Sequence, residues 1–517
     1  MMDKINNSSK TVNTGRNALA SYFLMIIQTV FQFVSKSVIV YELGSQILGL
    51  TNLFSSIITI LNLTEMGFTA SIVYFLYKPI SDSDYSRICS ILNYIKNVYR
   101  IVGYAILLLG VILMPFLPII INRTSEIPCN VYVIFFLYLI NTVAGYFLYS
   151  YKVVFLTAIQ RLDLTKIATL FVIVFQYSTQ LIVLIYFKNI YFFTLLMVIG
   201  TIFTNLIISF ICQCKFSRYV PKGKITKTDK NVILSKVKGL LVCNISIVSY
   251  SALDNIVISS LIGLTSVAIY SNYMTIYKFV NQLVVILRSS MQSSIGESVV
   301  KKTVQENLDD VFLWQFLFSI MGIICSSCMI VLYQPFMKMW MGNNMLLNML
   351  DVTLIVIWFF IDVVQQSQFL YLNAAGLWNN LKASYVFNCF CNVICNISLG
   401  YFWGITGVII SSIITCLISG TFWQCIIIFK IYFKIAACKY IYIQFKYFII
   451  GSIVVLIVYY ANSFVHLSGI YEIAFKLPFS VLISFILTLL IFFKDKNTKR
   501  MFTILARIIS YLKKIIW

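Results

Sequence analysis

The stretch Ser266–Met291, SVAIYSNYMTIYKFVNQLVVILRSSM, is long enough to cross a bilayer, yet it carries a lysine close to its centre. Lys278 lies about twelve residues from Ser266, or about 18 Å along a helix that rises 1.5 Å per residue. That depth is near the midplane of a hydrocarbon core about 30 Å thick. Ser271, Thr275, Lys278, Gln282 and Ser289 fall on one helical face, with Asn281 alongside. An ionisable residue so deep costs about 2.5–3.5 kcal/mol on insertion scales, which predicts that it faces a cavity or a charged partner. Two readings stand: Lys278 lines a polar cavity, or it forms an ion pair with Asp362 or Asp254, each of which lies in another apolar run.

The rest of the chain has the same character. Its 517 residues are 60% apolar and only 11% charged, with a mean hydropathy of +0.91, which excludes a soluble globule. Apolar runs of about 20–30 residues recur between residues 18 and 493. They predict an all-α polytopic membrane protein of about 14 transmembrane helices. No short charged and apolar leader with a small-residue cleavage site precedes the first run, so a removable signal peptide is not expected. A net charge of +22 first suggests nucleic acid, but its distribution is topological. With the N-terminus in the cytoplasm, nearly all Lys and Arg residues fall on that side. Arg123, Lys188, Lys338 and Lys476 fall on the other, and Lys36 and Lys278 lie within spans. This asymmetry predicts cytoplasmic termini and no nucleic-acid partner. The segment Lys215–Lys238 and the tail Lys494–Lys514 also suit an anionic inner leaflet.

Landmarks recur about 220 residues apart: Gly44 with Gly263, Pro115-Phe116 with Pro335-Phe336, and Leu156, Ala158 and Lys166 with Leu372, Ala374 and Lys382. They predict an N-terminal six-helix lobe over 1–214 and a basic cytoplasmic linker over 215–238. A C-terminal six-helix lobe over 239–430, two additional helices over 431–494 and a basic tail over 495–517 follow. An even number of spans per copy makes the two lobes parallel, an arrangement that frames a central cavity in some transporters. A shorter polar stretch, from Lys78 to Arg100, reads as an amphipathic cytoplasmic linker after the second span.

The chemistry of catalysis is missing. The single histidine, His466, falls in an outer loop, where a solvated residue is the simpler reading than a base. No glycine-rich phosphate loop ends in Lys-Ser/Thr, and the outer loops are too short for a catalytic domain. Most of the thirteen cysteines lie in apolar runs, and even the cluster Cys389, Cys391 and Cys395 lacks zinc-site pairing, so no metal and no cofactor are expected. What remains is polar side chains on many spans. Gln28, Gln32 and Lys36 are spaced by four on the first. Ser384, Asn388, Asn392 and Asn396 are strictly spaced by four on the eleventh. Such stripes either line a cavity or join helices to one another. Lys278, Arg288, Lys36, Gln28, Gln32, Asn281, Gln282 and Asn392 are the candidate cavity residues, with head-group snorkelling the competing role for Arg288 and Lys36. Glu65, Asp254 and Asp362 are candidates either for ion coupling or for structural pairing.

One segment carries a family pattern. Tyr41–Asp84, YELGSQILGLTNLFSSIITILNLTEMGFTASIVYFLYKPISDSD, resembles the polysaccharide flippases of the multidrug/oligosaccharidyl-lipid/polysaccharide (MOP) exporter superfamily. The recognisable parts are Gly44, Gly49-Leu50, Glu65-Met66-Gly67-Phe68 and Tyr77-Lys78-Pro79; the family more often has Asp where Glu65 stands. The six, six and two arrangement of spans extends the likeness over the whole chain. The resemblance implies two lobes around a cavity opening alternately to each side, in a bacterial cytoplasmic (inner) membrane. It implies an undecaprenyl-pyrophosphate-linked oligosaccharide as substrate, moved outward for O-antigen or capsule assembly, and a polysaccharide polymerase and other assembly proteins as partners besides the lipid bilayer. The expected function is transport, not enzymatic catalysis. A cation-coupled drug or metabolite exporter of the same superfamily is the nearest competitor, and flippases of peptidoglycan or teichoic-acid precursors obey the same physics. A membrane-embedded glycan polymerase or acyltransferase would need the large outer loop or catalytic set that the sequence lacks.

The charge asymmetry makes a direct prediction. A fluorescent protein fused after Trp517 should fold and fluoresce, and alkaline phosphatase fused there should stay inactive. An active phosphatase would reverse the orientation.

Overall fold

The computed structural model describes residues 10–62, 72–73, 75–121, 127–148, 150–226, 229–231, 233 and 252–503. Among these residues the chain is helical, with nine helices long and apolar enough to cross a membrane, or ten when one bent pair counts as a span. Shorter helices, a hairpin and one unusually polar long helix bring the total to about fourteen. The fold class is that of an all-α polytopic membrane protein.

The chain forms two compact units, Met1–Ala268 and Ile269–Trp517. In the first, α1 (Lys10–Leu43), α2 (Ser45–Leu61) and α3 (Tyr85–Leu113) are followed by the bent pair α4 (Val131–Phe147) and α5 (Ser150–Ala158). Helices α6 (Leu162–Ile182), α7 (Ile190–Phe216) and the short α8 (Ala252–Leu261) complete it. Helix α1 packs along α6, α7 along α4 and α6, and α3 along α4. Asparagine caps start α4 and α7: Asn130 accepts from the backbone N–H groups of Tyr132 and Val133, and Asn189 from those of Tyr191 and Phe192. A polar cap satisfies helix-end donors that have no intrahelical partner.

Two features differ from the sequence expectation. The expected linker between Lys78 and Arg100 is largely helix. Asp84 caps α3 by accepting from Arg87 N at 2.9 Å, and Ile88, Ile91, Leu92, Ile95 and Tyr99 are buried. The apolar stripe beneath the charges makes this the first half of a long helix. The division between units also falls later than the 215–238 segment, so that α8 belongs with the first unit. The reason is packing against α2. Asn255 on α8 donates to Ser56 Oγ at 2.8 Å, and at Gly49 any Cβ would collide with the Leu264 carbonyl. Gly44 and Gly263, the first repeat landmark, both sit between consecutive helices at positive φ, 91° and 125°.

The second unit begins within α9 (Leu264–Lys301) and continues through α10 (Val304–Met341) and α11 (Met349–Ala374) to α12 (Trp378–Cys416). Helix α12 folds back on itself at Gly404, whose φ of 60° and ψ of −134° suit glycine and break the helix. Its second arm runs on through Leu417–Gln424 and Cys425–Ile428 to Phe433. Then come α13 (Cys438–Ser463) and α14 (Ile470–Ile491). Thr303 and Glu306 form a reciprocal capping box at the start of α10. Helix α10 is the hub: α11, α13 and α14 all pack along it. Helix α13 passes close at Gly451, where a Cβ would stand 3.0 Å from Ile323 Cγ1. Helix α14 buries Ser480, Ser484 and Thr488 at i, i+4 spacing, the small-residue stripe that lets membrane helices approach closely.

The Gly49 contact is testable. Gly49→Ala should lower the stability of detergent-purified protein by about 1–3 kcal/mol, as overpacking does. Gly145→Ala, where no atom lies within 4 Å of the new Cβ, should be neutral or stabilising. Thermal unfolding of both variants checks the contrast.

Candidate functional site

In the second unit a polar seam joins α9 to α11. Tyr277, Asn281, Arg288 and Gln292 recur at intervals of four and seven on α9, so they share one helical face. Asp362, Gln366 and Asn373 do the same on α11. The Asp362 carboxylate accepts from Tyr277 OH at 3.0 Å and from Asn281 Nδ2 at 2.6 Å. Gln366 Nε2 donates to the Asp362 carbonyl at 3.0 Å, while Gln366 Oε1 accepts from Arg288 Nη1 at 2.8 Å. The Arg288 guanidinium also lies 5.7 Å from the centre of the Phe369 ring, close enough for a cation–π contribution. Gln292 Nε2 reaches the Leu370 carbonyl at 3.2 Å, and Asn373 Nδ2 reaches Gln292 Oε1 at 3.4 Å. Tyr277 is held in place by Trp358 and Phe359, with ring centroids 5.1 and 5.6 Å away.

The expected single stripe on α9 therefore divides in two. Asn281 and Arg288 turn toward α11, whereas Lys278, Gln282 and Ser289 are exposed on the adjoining face. Asp362 takes its hydrogen bonds from the Tyr277 hydroxyl and the Asn281 amide, neutral donors in the place foreseen for a lysine partner. Arg288, for which head-group snorkelling was the alternative, is half-buried against Gln366 and Phe369. Asn392 is fully buried between the arms of α12. Its amide approaches Thr415 Oγ1 at 3.4 Å and its side-chain carbonyl accepts from Asn396 at 3.1 Å. These contacts occupy its polar atoms in joining the hairpin. Tyr277 and Phe369 were missed by the sequence reading. The signal for Tyr277 was its placement four residues before Asn281, on the face adjoining that of the more conspicuous lysine.

In the first unit, Gln28, Gln32 and Lys36 follow one face of α1. Gln28 and Lys36 are half-buried and Gln32 is exposed. Three residues after Gln28 and immediately before Gln32, Phe31 stacks on Tyr177 of α6 with centroids 5.1 Å apart. At the end of α1, Glu42 pairs with Lys188 at 2.9 Å. This hydrogen-bonded carboxylate raises the Lys188 ammonium above the usual lysine range. Asp254 is 1% exposed on α8. Glu65, and with it the Glu65-Met66-Gly67-Phe68 pattern, lies outside the described residues. Among the described residues no cluster of His, Cys, Asp and Glu is arranged to hold a metal ion.

The seam predicts unequal effects at Asp362. Asp362→Ala should strand the Tyr277 hydroxyl and Asn281 amide, at about 1–3 kcal/mol for each buried donor left unpaired. Asp362→Asn keeps an acceptor and should lose less. Equal losses in thermal denaturation would show that the charge, not these hydrogen bonds, holds the seam.

No protein-family model matches the chain, and no curated protein matches it in sequence. Solved structures do. The lipid II flippase MurJ in an inward closed conformation aligns with a TM-score of 0.65 at 10% identity, covering 92% of this chain and 99% of that one. An inward-facing multidrug resistance transporter of the MATE family, in the MOP superfamily, aligns with a TM-score of 0.59 at 13% identity, covering 83% and 99%. A MOP superfamily transporter from Pyrococcus furiosus, whose binding pocket of reversed polarity suggests a different function, aligns at 0.54 with 14% identity, covering 82% and 97%. At such identities the likeness establishes a shared fold.

Proposed function

We propose that this chain is a flippase that moves an undecaprenyl-pyrophosphate-linked oligosaccharide from the inner to the outer leaflet of a bacterial cytoplasmic membrane. It would do so by alternating access, for O-antigen, capsule or another surface polysaccharide. The observation that carries the reading is the pair Lys278 and Gln282, exposed on the face of α9 that adjoins Tyr277, Asn281 and Arg288. An exposed ammonium there has a purpose if an anionic group must pass it, because charge in hydrocarbon is costly. A pyrophosphate offers that charge, and sugar hydroxyls exchange hydrogen bonds with an amide such as Gln282. In the first unit Gln28, Gln32 and Lys36 on one face of α1 offer the same kinds of group. The polyprenyl tail needs no polar partner and would remain in lipid. No covalent step is required, and polymerase and other assembly proteins would take up the product.

The fold shared with a lipid II flippase supports a lipid-linked cargo, and that structure accounts for 92% of this chain against 83% for the drug exporter. The competing reading, a cation-coupled exporter, draws on Asp362. It is a carboxylate within a span, held by the neutral donors Tyr277 and Asn281.

In proteoliposomes with a defined lipid-linked oligosaccharide, Lys278→Ala should reduce flipping at least tenfold, and Lys278→Arg should restore much of it. Gln282→Leu should give an intermediate loss. Undiminished flipping by the inserted Lys278→Ala protein would sink the proposal, and ion-driven efflux of a cationic dye would favour the exporter.

A further inference from the structure

Helices α11 and α13 and the second arm of α12 line an open cavity within the second unit. Its walls are almost wholly apolar, formed by side chains including Ile361, Val364, Leu417 and Phe448. Two polar side chains join them: Thr421, whose hydroxyl accepts from Gln365 Nε2 at 3.0 Å, and Gln444 on α13. It is 6% exposed and lines the cavity, yet neither its amide nitrogen nor its amide oxygen has a hydrogen-bond partner. The Tyr440 hydroxyl, one turn earlier on α13, lies 2.6 Å from Ser367 Oγ. A buried amide with both ends unsatisfied costs about 1–3 kcal/mol, and an apolar cavity offers no water network to relieve it.

We infer that this cavity is a binding site for a diacyl phospholipid, in addition to whatever the protein transports. Depth and chemistry agree on the occupant. Gln444 lies about 9 Å along α13 from Cys438. The neighbouring Lys439 and Lys446, the latter exposed, mark this end of the helix as lying within a lysine's reach of the interface. The glycerol esters of a membrane lipid sit at that level. An ester carbonyl accepts from Gln444 Nε2, a head-group N–H or O–H donates to Oε1, and an acyl chain fills the space beside Ile361, Val364 and Phe448. Phe445, 44% exposed at the cavity wall, marks the side open to the membrane. A polyprenyl chain would fill the same walls but has no group for the amide, which is why the orphaned glutamine selects an acyl lipid.

Native mass spectrometry of the full chain from mild detergent tests this. Wild type should retain one phospholipid per chain. Occupancy should fall at least tenfold in Gln444→Leu, which removes the amide, and in Ile361→Phe, which fills the cavity. Added phosphatidylglycerol should raise the melting midpoint of delipidated wild type and leave that of Ile361→Phe unchanged, a readout that stands if Gln444→Leu accumulates poorly. No retained lipid on wild type, equal retention in both variants, or a retained polyprenyl lipid in place of a phospholipid would overturn the inference.

Discussion

A bilayer interior gives a stranded amide or carboxylate no water to turn to, so each must find its partner in the protein. The second unit is organised by that constraint. Helix α11 meets it on two sides. Asp362 and Gln366 engage α9. Gln365 and Gln368 engage the second arm of α12 through Thr421 Oγ1 at 3.0 Å and the Gly420 carbonyl at 2.9 Å. Each such contact in a membrane protein is worth only about 0.6 kcal/mol on average. Their number and direction matter more than their strength, because they fix the rotation of α9 and α12 about α11.

Once rotation is fixed, polar residues on one helix acquire different roles. On α9, Tyr277, Asn281 and Arg288 are engaged in packing, whereas Lys278 and Gln282 are left facing outward. Within one turn of helix, groups engaged with α11 give way to groups exposed on the adjoining face. Gln444 on α13 shows the reverse case, a residue buried as though structural but with no partner in the chain.

The helical class and the approximate number of spans were legible because lipid leaves the backbone few alternatives and hydropathy reports that directly. The facing of α9 was not readable. Lys278 and Asn281 are three residues apart, close enough on a helical wheel to share a stripe, and the partner that separates them, Asp362, is far away in sequence. The segment from Lys78 to Arg100 misled for another reason. Its charges are conspicuous, but the buried positions from Ile88 to Tyr99 are what keep it in the helix. Asn392 looked like cavity lining because spacing alone does not reveal whether the facing surface is a neighbouring helix or a ligand.

The turn at Gly404 has a consequence for how the chain is made. The first arm of α12 carries Asn388, Asn392 and Asn396, and the partner structure for Asn392 includes Thr415 on the second arm. An arm emerging alone from the ribosome would present those amides to lipid with nothing to receive them. With so short a reversal, the second arm is synthesised moments later and already lies antiparallel to the first. Entry of this region as a hairpin would let Asn392 meet Thr415 and Ser411 of the second arm as the two arms leave the translocation channel together.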